Sequence, residues 1–139
     1  MRALSDIVCR QDPLVMSGAE TVKAACMAMR DRRVGSVLVT DEKGKLAGIF
    51  TGRDAVCRVL AAGKSAARTT LQAAMTPAPV TMTAKQTAID ALRLMWDGGF
   101  RHLPVVDKGK IVGVVSRGDF QGEEQMRLDD ERELWEHMR

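Results

Sequence analysis

Two short segments carry a hydroxyl and a carboxylate three residues apart: Thr51-Gly52-Arg53-Asp54 and Ser116-Arg117-Gly118-Asp119. A carboxylate held beside a helix start can accept both hydroxyls of a sugar diol such as ribose, through two charge-assisted hydrogen bonds. The neighbouring hydroxyl can donate to, or accept from, the sugar or a phosphate. The same spacing also reads as a helix capping box, although Glu or Gln is the usual third partner. The two roles are compatible in a protein without ligand. A third feature is Arg101-His102, just ahead of an apolar run. Both side chains can meet phosphate, Arg through its planar fork; the competing reading is two solvated residues before a strand. Arg53 and Arg117 lie inside the two segments and can add phosphate contacts or simply face solvent.

Catalytic chemistry finds little support. The histidines are His102 and His137, and spacing suggests neither a Cys–His nor a Ser–His–Asp set, nor a metal motif. Cys9, Cys26 and Cys57 are odd in number and widely spaced, without a C-x-x-C. That fits reduced thiols in a cytoplasm, not a disulfide framework or a zinc site. The expectation is a protein without catalytic residues, metal ligands or a catalytic cofactor.

The elements that must position these groups follow from hydrophobic periodicity. Leu4 to Cys9 reads as a short helix or turn and Pro13 to Met16 as an extended piece. Ser17 to Glu20 is a plausible helix entry. Val22, Ala25, Cys26 and Met29 then fall at i, i+3, i+4 and i+7, one helical face. Val34 to Thr40 and Leu46 to Phe50 are strands around a turn, and Thr51 opens a helix ended by Gly63. Residues 64–74 read as a connector. The pattern then returns. Pro79-Val80-Thr81-Met82 lies 66 residues after Pro13-Leu14-Val15-Met16, and Ala88, Ala91, Leu92 and Met95 lie 66 after the first helical face. The second hairpin, Leu103 to Val106 and Ile111 to Val115, turns at Asp107 to Lys110, where Gly109 supplies a positive φ. One residue is lost in that turn, so Gly48, Thr51 and Asp54 match Gly113, Ser116 and Asp119 at 65. These are two copies of a strand–helix–strand–strand–helix unit, each too small to bury both faces of its sheet alone. Arg101-His102 has the uncharged counterpart Gly35-Ser36.

Charge divides the chain differently. Residues 123–139 hold seven acidic and three basic side chains, leaving 18 basic and 11 acidic in the remainder. The basic body is either a lysine- and arginine-rich solvated surface or one that attracts anions such as phosphate compounds, and the acidic tail repels nucleic acid, so a nucleic-acid partner is not expected. Leu128, Leu134, Trp135 and Met138 share one face of a helical tail. No stretch approaches the roughly 18 apolar residues of a membrane span, and residues 1–12 lack the apolar run of a signal peptide. Cytoplasmic placement without membrane contact follows as the expectation.

The pieces RHLPVVD (101–107), GKIVGVVSRGD (109–119), VGSVLVTD (34–41) and GKLAGIFTGRD (44–54), with the proline-led extended pieces, resemble a tandem pair of cystathionine-β-synthase (CBS) domains. The resemblance covers about residues 6–122. It implies an α/β fold of the mixed α+β kind: two pseudo-symmetric β-α-β-β-α repeats, 1–66 and 67–122, packed as a Bateman-type module with two clefts between them. A C-terminal helix over 123–139 follows. It implies a stand-alone regulatory module that binds an adenosine compound (AMP, ADP, ATP, NAD(H) or S-adenosylmethionine), forms a homodimer and signals to a separate effector protein. Thr51, Asp54, Ser116 and Asp119 become ribose ligands, and Arg101, His102, Arg53 and Arg117 phosphate ligands. Leu14, Val15, Val39, Val80, Thr81 and Val105 become the adenine pockets, with core packing as the competing role of the apolar ones. Both copies keep their Asp, which predicts two competent sites. The alternative is a ligand-free interaction module working through its C-terminal helix.

Overall fold

The structure is a computed structural model that describes residues 2–120, 122, 126–127 and 133–134. Its elements are α1 (Leu4–Val8), β1 (Val15–Ser17), α2 (Val22–Arg32), β2 (Ser36–Thr40), β3 (Leu46–Thr51), α3 (Gly52–Asp54) running into a π-helical turn (Ala55–Leu60), α4 (Leu71–Ala74), β4 (Thr76–Pro77), α5 (Ala88–Gly98), β5 (His102–Asp107), β6 (Lys110–Ser116) and a 3-10 turn (Arg117–Asp119). The amphipathic helix expected over 123–139 falls mostly outside the described residues, as do Leu128, Trp135 and Met138; Leu134 is exposed. Among the described residues, no helix is long and apolar enough to cross a membrane.

The chain forms two compact units, one of residues 12–80 and 108–111, the other of residues 1–11, 81–107 and 112–139. In the first unit, β1 pairs parallel to β2, β2 antiparallel to β3, and β3 antiparallel to β4. Its core gathers Val22, Ala25 and Met29 from α2 with Val37, Val39 and Phe50 from the sheet, closed by Leu71, Ala74 and Met75. In the second unit, β5 and β6 pair as a hairpin. Met82 bridges parallel to Val105, the same relation that Met16 has to Val39 in the first unit. Leu4, Val8, Ala91, Met95, Leu103, Val105 and Val115 form its core.

Local chemistry sets the boundaries alike in both copies. Thr21 Oγ1 accepts the Ala24 N–H at the start of α2, and Thr87 Oγ1 accepts the Asp90 N–H at the start of α5. The helices end at left-handed residues 66 apart, Arg33 and Gly99 (φ 54° and 70°). The second hairpin turns through Lys108 and Gly109, both at positive φ, the pattern of a two-residue turn that suits strand twist.

Three local expectations shift. Ser17 belongs to β1, and the helix entry is Thr21. The expected connector 64–74 contains α4, four residues that are too few to show a helical period. The segment after Asp119 does not continue at once as helix: Phe120 is extended and packs on the second core.

The principal surprise is where α1 and α4 go. Leu71 N–H donates to Glu20 O and Val22 N–H to Thr69 O, so the segment that precedes the second copy docks on the helix of the first. Leu4 N–H donates to Gln86 O and Ala88 N–H to Arg2 O, so the segment that precedes the first copy docks on the helix of the second. The exchange is reciprocal: Leu4 and Val8 stand 67 residues before Leu71 and Met75. Each docked segment crosses the matched glycine of a strand. A Cβ on Gly48 would lie 2.8 Å from Thr76 O, and one on Gly113 would lie 2.7 Å from Val8 Cβ and 2.6 Å from Gln11 Oε1. Gly113→Ala therefore destabilises the protein by about 1–3 kcal/mol through overpacking. Urea unfolding checks this, and an unchanged midpoint would mean that the α1 segment does not lie over β6.

Candidate functional site

The first constellation lies at the end of β3. Thr51 terminates the strand and caps α3: Asp54 N–H donates to Thr51 Oγ1 (3.4 Å), and Asp54 Oδ2 accepts the Thr51 N–H (2.9 Å) and hydroxyl (3.2 Å). The capping box is thus present, and it holds the carboxylate at the helix mouth. The other oxygen, Oδ1, accepts the Thr76 hydroxyl at 3.2 Å and faces Arg58 Nε at 3.3 Å. Arg58 is itself anchored through NH1 to the Met75 carbonyl, 3.1 Å. Asp54 is 8% exposed. Arg53 points to solvent. Of the expected purine-pocket residues in this unit, Leu14 is half-buried against the core, Val39 is fully buried within it, and Val15 and Val80 are exposed.

The second constellation lies at the end of β6. Asp119 Oδ2 accepts the Ser116 N–H (2.7 Å) and hydroxyl (3.2 Å), the same box at the matched position. Oδ1 accepts no hydrogen bond from the described residues, and Asp119 is half-buried. The Arg117 N–H donates to the Arg101 carbonyl at 3.2 Å, which draws the start of β5 alongside the Ser-x-x-Asp turn. That pairing brings His102 within electrostatic reach of Asp119 and of Arg101. Arg101 is exposed and His102 half-buried. The Arg117 guanidinium lies over the Trp96 ring, 4.4 Å from its centroid, a cation–π contact. Thr81 is exposed, and Val105 is fully buried in the core of this unit.

Burial lowers the His102 pKa from its ordinary 6.5; Asp119 pulls it back up, and Arg101 adds to the lowering. Below pH 6.5 the unfolded chain therefore takes up a proton that the folded chain refuses. Stability is complete above 6.5 and falls as pH drops through the window down to the lowered pKa. His102→Gln should flatten that slope. Urea midpoints at pH 7.5 and 5.5 for the two proteins check it, and equal slopes would refute it.

Sequence reasoning passed over Arg58, Thr76 and Trp96. Arg58 was within reach of it, because four residues separate it from Asp54 on a helix. Thr76 and Trp96 are brought in by tertiary packing, and no spacing announces them.

The CBS domain pattern matches residues 4–60 and 71–123, and the chain belongs to the CBS-domain family, with two repeats. The CBS domain-containing protein CBSCBSPB2 of Arabidopsis thaliana is 40% identical over 102 residues, 73% of this chain and 19% of the relative. The chain spans about a fifth of the length of the curated relatives it matches first. Among solved structures, CBSX2 in complex with AMP superposes with a TM-score of 0.72 at 26% identity, covering 86% of this chain and 93% of CBSX2. A CBS domain protein of Pyrobaculum aerophilum complexed with AMP shares the fold, with a TM-score of 0.81 at 21% identity over 94% of this chain and 99% of that one.

Proposed function

We propose that this chain is a regulatory module that binds an adenosine compound and passes its occupancy to a separate effector protein. The observation that carries the reading is the open Oδ1 of Asp119 beside His102 and Arg101. A ribose diol can donate to that oxygen, and a phosphate attached to the ribose meets the two basic groups. Arg117, held over the Trp96 ring, adds positive charge to the same turn. The exposed Thr81 is a candidate for the purine edge. The CBSX2 complex supports AMP as the first ligand to test; ADP, ATP, NAD(H) and S-adenosylmethionine follow from the same chemistry. No residue in this reading acts on a covalent bond. The working unit it implies is a cytoplasmic homodimer, without membrane or nucleic acid.

Binding must favour one packing of the protein over another if occupancy is to be transmitted. Thermal denaturation against AMP, ADP, ATP, NADH and S-adenosylmethionine tests the binding itself. A ligand at 100 times its Kd stabilises by about 2.7 kcal/mol. In a protein of this size that raises the Tm by about 5 °C or more. A flat response to all five compounds would refute the reading.

A further inference from the structure

The two carboxylates that the repeat makes equivalent are not equivalent as acceptors. An ionised carboxylate has about four lone-pair sites. At Asp54 a protein donor faces each of them: the Thr51 N–H and hydroxyl on Oδ2, the Thr76 hydroxyl and Arg58 Nε on Oδ1. A sugar hydroxyl can bond there only by displacing Thr76 or Arg58, and Arg58 is also tied to the Met75 carbonyl. At Asp119 the described residues fill Oδ2 alone.

The sequence accounts for the difference. The residue 65 positions after Arg58 is Glu123, an acid where the first copy has a cation; it lies outside the described residues. The residue 67 positions before Thr76, in the exchanged segment, is Cys9, whose thiol is committed to the Asp6 carbonyl at 3.4 Å. So the second copy lacks both residue types that close the first. Arg58 sits in a π-helical turn, with Ala61 N–H donating to Val56 O and Lys64 N–H to Val59 O, each five residues back. Such turns are rare and recur at functional sites.

We infer that Arg58 and Thr76 act as built-in occupants of the first site, so that the chain binds one nucleotide, on Asp119, rather than two. This rests on the adenosine reading above and departs from the two competent sites that the repeat implies. Asp54 then serves as the structural hub that ties β3, α3 and β4 together, and the second copy is the sensor.

Titration calorimetry with AMP on the full chain is expected to give one ligand per chain. The Arg58→Gln, Thr76→Val double variant is expected to give two, the second weaker, because Asp54 Oδ1 is then free. Two ligands on the parent protein, or one on a double variant whose circular dichroism is unchanged, would overturn the inference while leaving the adenosine reading intact. A ligand-free readout judges the lock by itself. Asp54→Asn should lower the Tm by roughly 3 °C or more in the parent and by clearly less in the double variant, as coupled residues do. Equal losses in the two backgrounds would refute the lock. If no adenosine compound binds the parent protein, the adenosine reading fails, and the Tm cycle still decides whether Arg58 and Thr76 hold Asp54.

Discussion

Asp119→Ala is expected to weaken AMP binding by about 100-fold or more. Two sugar hydroxyls donating to a charged acceptor contribute about 1.5–3 kcal/mol each. Their loss is at least about 3 kcal/mol, and each 1.4 kcal/mol is a factor of ten in affinity. Asp119→Asn keeps an acceptor oxygen of the same shape without the charge and should lose less. The substitution also removes the acceptor of the Ser116 N–H, so a thermal melt of each variant must accompany the calorimetry. An Asp119→Ala protein that melts cooperatively and binds AMP as tightly as its parent would remove Asp119 from the site.

Phe50→Ala has the largest expected effect on stability, a loss of about 3–5 kcal/mol. Phe50 is fully buried, pairs with Val37 across β2 and β3, and packs into the first unit's core with α2 and α4. Single domains hold about 5–15 kcal/mol in all, so the variant stands near the edge of folding at 37 °C. Phe50 also immediately precedes Thr51, so a collapse around its cavity reaches the capped turn that positions Asp54. Phe50→Leu retains most of the apolar contact and should lose much less. Urea unfolding of the two variants measures the difference, and a loss below about 1 kcal/mol for Phe50→Ala would mean that this core is not packed as described.

The candidate site was legible in part, and the boundary has a physical cause. Thr51 with Asp54, and Ser116 with Asp119, lie three residues apart, a spacing that brings a side chain back to the backbone of its own turn. Sequence therefore names the pair, and the structure finds the box in both copies. Arg101-His102 was legible as an asymmetry between copies. What surrounds each Asp was not. Thr76 reaches Asp54 across 22 residues and Arg117 reaches Trp96 across a whole strand pair; partners at that range are set by packing, not by local spacing. Val39 and Val105 illustrate the same limit, since an apolar strand residue reads alike whether it lines a pocket or fills a core.

By itself the sequence determined the duplication, the order of the longer strands and helices, the capped turns at Thr51 and Ser116 and the hairpin turn at Gly109. Each of these depends on residues within one helical turn or one hairpin. Only the tertiary structure decided that α1 leaves the copy it precedes and docks on the other, while α4 does the reverse. Four- and five-residue helices have no period of their own to read, and the matched glycines Gly48 and Gly113 leave room for a docked segment in both copies alike. The same exchange sets Thr76 against Asp54 and places Cys9 in the corresponding segment of the second copy. Two carboxylates that look identical along the chain thereby differ as acceptors, because hydrogen-bond capacity is filled in space and not in sequence.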